Sequence, residues 1–222
     1  MGTTAMIARR VGEGDNDGAS VSAVQSIYLA LIISIPIMIC GIFFSEDLLR
    51  LMGATSEVIS QGSGYTKLTL GFNLIVILLF LINGIFRGAG DAALAMRSLW
   101  IANTLNIVLD PLLIFGIGPF PELGIEGAAI ATIIGRSFGI IYQVYHLGKG
   151  KGLIKIHKDN WQFKPKIIWK LVKLSSGVTA QFIISSASWI FLMRIISTFG
   201  STALAGYTIA IRIVIFTLLP AW

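Results

Sequence analysis

Charged residues are scarce in this 222-residue sequence: Asp, Glu, Lys and Arg make up 13% of it, whereas 55% of the residues are hydrophobic. A soluble domain of this length has about 25% charged residues, which cover its surface. Long polar segments are also rare. This shortage of charge excludes an ordinary soluble domain and indicates a protein embedded in a membrane.

Residues that carry metal or covalent chemistry are few. The sequence has one cysteine, Cys40, and two histidines, His146 and His157, for which it offers no matching set of acidic or thiol partners. This excludes an internal disulfide and disfavours a zinc site. No Walker lysine follows the glycine-rich segments, and no nucleophile is paired with a base. We therefore expect no cofactor and no enzymatic activity.

Apolar runs of about 20 residues recur along the chain, and this length crosses the hydrocarbon core of a bilayer. They predict an all-α fold, a polytopic membrane helical bundle. The predicted spans are 20–44, 64–86, 97–117, 124–147, 170–199 and 203–222, preceded by a helical remnant at 2–10. Because the remnant is too short to span and the chain stops in apolar sequence, we expect a chain truncated at both ends.

The basic polar segment 148–169 divides the sequence. It predicts most of a first transmembrane lobe at 1–147, a linker at 148–169 and the first two helices of a second lobe at 170–222. The linker's charge favours contact with anionic membrane lipid. The excess of Lys and Arg between apolar runs, +6 net over the chain, indicates topology rather than a nucleic-acid partner.

Basic residues concentrate in alternate loops, whereas the other loops carry mainly acidic residues or none. The positive-inside rule therefore predicts that loops 9–19, 87–97 and 148–169 are cytoplasmic in a multi-pass protein of the cell (inner) membrane. This assignment groups Arg136 with the cytoplasmic charges.

Three polar residues interrupt the apolar run 97–117. Asn103, Asn106 and Asp110 have the spacing i, i+3 and i+7, which places them on one face of a helix. A carboxylate in the bilayer interior is costly and is rarely kept without a function. Pro111 disturbs a backbone carbonyl one turn earlier, near Ile107. The carboxylate, amide and carbonyl oxygens suit Na⁺. Instead of binding Na⁺, the carboxylate of Asp110 could carry a proton. The structural alternative is a polar stripe that joins helices by hydrogen bonds.

Further polar residues lie in the later apolar runs. Thr132 can offer its hydroxyl to a neighbouring helix or bond to its own backbone. Gln181 gives the run 170–199 a polar side, which faces a cavity or another helix. Arg212 lies deep in the last run and is a candidate for an internal ion pair. The candidates for a substrate site or cavity are therefore Asn103, Gln181 and Arg212.

Several motifs resemble the multidrug and toxic compound extrusion (MATE) family. They are FRGAGD at 86–91, NTLNIVLDPLLIF at 103–115 and ELGIEGAAIAT at 122–132, with further similarity at 2–15 and 199–212. The resemblance implies twelve helices in two six-helix lobes, of which this chain holds the end of helix 2 through helix 8. It also implies antiport of amphipathic, often cationic, drugs against Na⁺ or H⁺.

The resemblance also implies a cation-binding site in the first lobe. An aspartate on helix 1 joins an Asn and an Asp on helix 5 and a Thr on helix 6, and the last three correspond to Asn106, Asp110 and Thr132. The partners implied are small-molecule drugs and the remaining helices of the same full-length protein. The main alternative is a lipid-linked oligosaccharide flippase of the same superfamily, for which Arg194 and Arg212 would form the basic cavity. An intramembrane enzyme would need a catalytic partner for Asp110, and the sequence offers none. A purely structural scaffold would not explain a carboxylate in the bilayer.

Overall fold

The computed structural model describes residues 1–51, 54, 56–149 and 154–218. This part of the chain contains helices and no strand, which confirms the predicted all-α membrane fold. The helices are α1 (Gly2–Gly12), α2 (Asn16–Phe43), α3 (Ser45–Leu51), α4 (Ser56–Gly71), α5 (Asn73–Gly88), α6 (Ala92–Phe115), α7 (Gly124–Lys149), α8 (Pro165–Ser197) and α9 (Ser201–Leu218), with a 3₁₀ turn at Lys158–Trp161.

Four of the described helices, α2, α6, α7 and α8, are individually long and apolar enough to cross a membrane. Their apolar side chains are largely exposed, as expected where lipid replaces water around a bundle. The described part of α9 includes a shorter apolar helix, Ala205–Leu218. Residues 219–222 of the predicted span 203–222 lie outside the described residues.

The span predicted at 64–86 falls on two helices rather than one. α4 and α5 are bent by 45° at a short break, and only together do they have the length and hydropathy of a span. The side-chain amide of Asn73 donates to the carbonyl of Leu70 at 2.6 Å and to that of Ser34 on α2 at 3.3 Å. These bonds cap the end of α4 and hold the bend; hydropathy alone does not reveal them.

The same turn joins α1 to α2 and α5 to α6. In each turn a glycine with positive φ, Gly14 at 76° or Gly90 at 83°, precedes an aspartate. The aspartate caps the next helix: Asp15 accepts from the Gly18 N–H at 2.8 Å and Asp91 from the Leu94 N–H at 3.1 Å. The similar segments RVGEGD at 10–15 and RGAGD at 87–91 therefore form the same structural element.

We expect Asp91→Ala to lower stability by about 1 kcal/mol, because the first turn of α6 loses its side-chain cap. Thermal unfolding of the purified protein in detergent measures the change. Asp17→Ala is the control, because this exposed carboxylate lies in the first turn of α2 without being its cap. Equal melting temperatures for Asp91→Ala and the unsubstituted protein would contradict the capping role.

The described residues group into two compact units, Met1–Leu174 and Ser175–Trp222. In the first unit, α1, α2, α5 and α7 meet around a core that includes Ile7, Ala23, Ile85, Leu147 and Ile154. In the second, the rings of Trp189 and Tyr207 connect α8 and α9, with 6.1 Å between their centroids. The predicted division at 147 and 169 stays a prediction.

The described part of the linker is bonded to α2. The buried side-chain amide of Gln25 donates to the carbonyl of Gln162 at 2.9 Å and accepts from the N–H of Lys164 at 2.8 Å. The hydroxyl of Tyr28 donates to the carbonyl of Trp161 at 2.8 Å. These bonds satisfy backbone groups of a segment without long helices, and they fix it against α2.

Gln25→Leu should release the linker, because two backbone groups lose their partner at a cost of about 1–3 kcal/mol each. The measurement is the rate of tryptic cleavage after Lys155 and Lys166, which we expect to rise. Tyr28→Phe removes a single hydrogen bond and should raise this rate less. An unchanged rate in Gln25→Leu would show that the linker is held by other contacts.

Candidate functional site

The candidate site lies where α6 and α7 pack together, the most extensive helix contact among the described residues. Glycines on α7 allow this approach. A Cβ atom on Gly135 would lie 2.6 Å from the Ala102 carbonyl oxygen, and one on Gly139 would lie 3.1 Å from the Ser98 carbonyl oxygen. Gly135 and Gly139 have the small-xxx-small spacing and thus allow a direct contact between helix backbones.

Asn106 links the two helices at this contact. Its amide nitrogen lies 3.0 Å from Oδ1 of Asp110 on the same helix and 3.2 Å from Oγ1 of Thr132 on α7. The Thr132 hydroxyl donates to its own helix at the carbonyl of Ala128, at 2.9 Å. Both sequence-based interpretations of Thr132 are therefore met, and the three predicted cation-binding residues lie in one hydrogen-bonded cluster.

This cluster keeps oxygen atoms available. The hydrogen bonds among the described residues use the NH₂ group of Asn106 and Oδ1 of Asp110. They leave Oδ2 of Asp110 and the amide oxygen of Asn106 as acceptors. All three side chains are partly buried, and α6 continues as a helix through Pro111. A carboxylate, an amide and a hydroxyl oxygen are hard ligands, suited to Na⁺ or to a proton on the carboxylate.

The ends of α6 and the following turn keep this face in register. Asp91 caps its start, and Gly116, with φ 64°, ends it in the left-handed conformation that favours glycine. The chain then returns to α7 with the N–H of Leu123 bonded to the carbonyl of Leu113 at 3.0 Å. A short, closed connection of this kind fixes how α7 aligns with α6.

A second polar cluster lies deeper in the same bundle and was not predicted. Buried Ser98 on α6 donates to Oδ1 of Asn83 on α5 at 3.0 Å and accepts from Nε2 of Gln143 on α7 at 2.9 Å. The other amide atoms, Nδ2 of Asn83 and Oε1 of Gln143, have no partner among the described residues. The sequence signal that could have predicted this cluster is a polar side chain at matching depth in each of three apolar runs.

The three other candidates do not join the cluster by a hydrogen bond among the described residues. Asn103 lies on α6 and its side chain is exposed. Gln181 on α8 and Arg212 on α9 belong to the second unit and are also exposed. Their assignment to a substrate site or cavity stays a prediction.

Arg136 lies deeper in the bundle than the pattern of cytoplasmic charges predicts. It is in the middle of α7, twelve residues after Gly124 and thirteen before Lys149. Counting residues from the start of the apolar run would have revealed this depth. Arg136 lies one helical turn after Thr132, and both residues line a cavity of about 150 Å³ between α4, α5 and α7.

Apolar helices packed through glycines around an internal carboxylate are features of a multi-pass membrane protein with a functional site between its helices. The sequence model of the MatE family matches residues 1–112. This match covers half of the chain, and the chain belongs to the MatE family. The resemblance seen in the motifs is thereby confirmed.

Relatives along the whole chain agree with this assignment. The probable multidrug resistance protein YoeA of Bacillus subtilis (strain 168) is 25% identical over 223 residues, which cover 99% of this chain and 48% of that protein. The probable multidrug resistance protein NorM of Thermotoga maritima is 27% identical over 229 residues, which cover 100% and 48%.

A solved structure shows the same fold. It is the inward-facing conformation of a multidrug resistance MATE family transporter of the MOP superfamily, with a TM-score of 0.85 and 31% sequence identity. The similarity covers 99% of this chain and 49% of that protein. The chain thus spans about half the length of the relatives it matches.

Proposed function

We propose that this chain is part of a secondary active multidrug exporter, which moves amphipathic drugs outward in exchange for Na⁺ or H⁺. It would form most of the first lobe and the start of the second in a transporter of about twice its length. The observation that carries the proposal is the cluster of Asn106, Asp110 and Thr132, which joins two tightly packed helices that are each long and apolar enough to cross a membrane.

The cluster supplies what a coupling site needs. A carboxylate at this depth is stable when a cation or a proton neutralises it, and it is costly when it is bare. Occupation of Asp110 therefore changes the free energy of helix arrangements that bury or expose it. If cation and drug favour different arrangements, each drives the other across the membrane.

The proposed transporter needs no cofactor. Its partners are small-molecule drugs, the surrounding lipid and the other helices of the full-length protein. We place loops 9–19, 87–97 and 148–169 on the cytoplasmic side of the cell (inner) membrane, supported by the concentration of Lys and Arg in these loops.

Ethidium efflux from cells that express the full-length transporter tests the proposed function. We expect efflux that depends on an imposed Na⁺ or pH gradient, and the gradient that drives it identifies the ion. Cells that carry the empty vector are the control. If a well-inserted protein shows no gradient-dependent efflux, the proposal fails, and transport of lipid-linked oligosaccharides is the next measurement.

A further inference from the structure

Arg136 is a charged residue at the centre of a membrane-spanning helix. It lies twelve residues from the start of α7, about 18 Å at a rise of 1.5 Å per residue. The side chain of an arginine is too short to reach either membrane surface from this depth. A charge so placed is costly unless a partner or water compensates it, and it is a mark of a functional site in membrane proteins.

The contacts of Arg136 do not neutralise its charge. Its guanidinium lies 6.0 Å from the centroid of the Phe80 ring, a cation–π contact. Arg136 forms no ion pair with a carboxylate among the described residues, unlike Arg9, Arg10 and Arg50. The positive charge of Arg136 therefore remains available to an anionic partner.

The cavity beside Arg136 suits such a partner. Its volume is about 150 Å³, and no Asp or Glu is among the described residues that line it. Tyr65 and Thr69 contribute hydroxyl groups to its wall, whereas Phe72 and Ile75 make another part of the wall apolar. Tyr65 and Thr69 are also exposed, so the cavity is open on their side.

This combination has a defined ligand chemistry. A guanidinium binds a carboxylate through two parallel hydrogen bonds, and nearby hydroxyls can donate to the same oxygens. The apolar wall accepts the ring that carries the carboxylate, and the cavity volume fits this end of a drug-sized compound rather than the whole. A compound with positive charge alone meets repulsion at Arg136.

We propose that Arg136 and this cavity form a subsite for the carboxylate of aromatic substrates. The transporter then favours zwitterionic or anionic amphiphiles over compounds that are only cationic. This inference rests on the proposed export function and defines the substrate class of that same transporter.

A matched pair of dyes tests the subsite. Rhodamine 110 carries a free carboxylate, and rhodamine 123 is the methyl ester of the same fluorophore. Fluorescence anisotropy with the purified full-length transporter gives the dissociation constant for each dye. We expect the carboxylate dye to bind about tenfold more tightly than the ester, as one charge-assisted contact allows.

Substitution of Arg136 should remove this preference. In Arg136→Met the two dissociation constants should become equal within about twofold, whereas Arg136→Lys should keep part of the preference through its charge. Arg136→Gln serves as a second neutral variant if the methionine variant is poorly expressed. Arg97→Met is the matched control, because Arg97 is exposed near the start of α6, and it should leave the preference unchanged.

Equal dissociation constants of both dyes for the unsubstituted protein would overturn the subsite. Equal weakening of the binding of both dyes in Arg136→Met would also overturn it, because that result would indicate a structural ion pair. Gradient-driven transport of both rhodamine dyes is measured on the same protein preparations after reconstitution. A dye preference that depends on Arg136 without any efflux would support the subsite and contradict the proposed export function, so the two failures are distinguishable.

Discussion

Asp110→Asn should abolish gradient-driven efflux while the protein still inserts into the membrane. Asparagine keeps the size of the side chain and can still accept a hydrogen bond from Asn106, but it carries neither the negative charge nor an exchangeable proton. We expect the efflux rate under an imposed gradient to fall by about tenfold or more, the range of coupling between two binding events. The measurement is ethidium efflux at matched expression.

The control for this prediction is Glu57→Gln, the same change from carboxylate to amide at an exposed position in the first turn of α4. It should leave efflux unchanged. Efflux in Asp110→Asn that still follows the imposed Na⁺ or pH gradient would show that coupling occurs elsewhere in the transporter.

Gly135→Leu should separate α6 from α7. Even a Cβ atom at this position would lie 2.6 Å from the Ala102 carbonyl oxygen and 3.2 Å from the Asn106 backbone nitrogen. Because backbone cannot move aside as a flexible side chain can, the helices must shift, at a cost of about 2–3 kcal/mol. The shift breaks the bond between Asn106 and Thr132, so we expect loss of both thermal stability and efflux.

Gly148→Leu is the matched control on the same helix. A Cβ atom on Gly148 would meet none of the described residues within 4 Å, and leucine favours a helix more than glycine does. Its melting temperature should equal or exceed that of the unsubstituted protein. Destabilisation of similar size in both variants would mean that the packing of α7 against α6 is not the cause.

The sequence predicted the helices where one strong signal dominates. Hydropathy over about 20 residues located α2, α6, α7 and α8, and the spacing of Asn106 and Asp110 on one face of α6 located the cluster. The link to Thr132 came from the resemblance to the family. It could not come from spacing, because α6 and α7 are separate in sequence and only their packing joins them.

The features that the sequence alone did not reveal depend on contacts between residues that are distant in sequence. The bend between α4 and α5 lies inside a continuous apolar run, and the amide of Asn73 that holds it bonds to Ser34 on another helix. Ser98 and Gln143 are unremarkable alone and become a polar cluster only when their helices meet. The depth of Arg136, by contrast, was readable from residue counting.

The most direct test of the cation site is ion-dependent stability of the purified transporter. A cation that binds the folded state raises the melting temperature as its concentration exceeds its dissociation constant. We predict that the melting temperature rises either with Na⁺, compared with choline at equal ionic strength, or with a change in pH. Asp110→Asn and Thr132→Val should lose this response, whereas Glu57→Gln should keep it. The same response in Asp110→Asn as in the unsubstituted protein would contradict a cation site at Asp110.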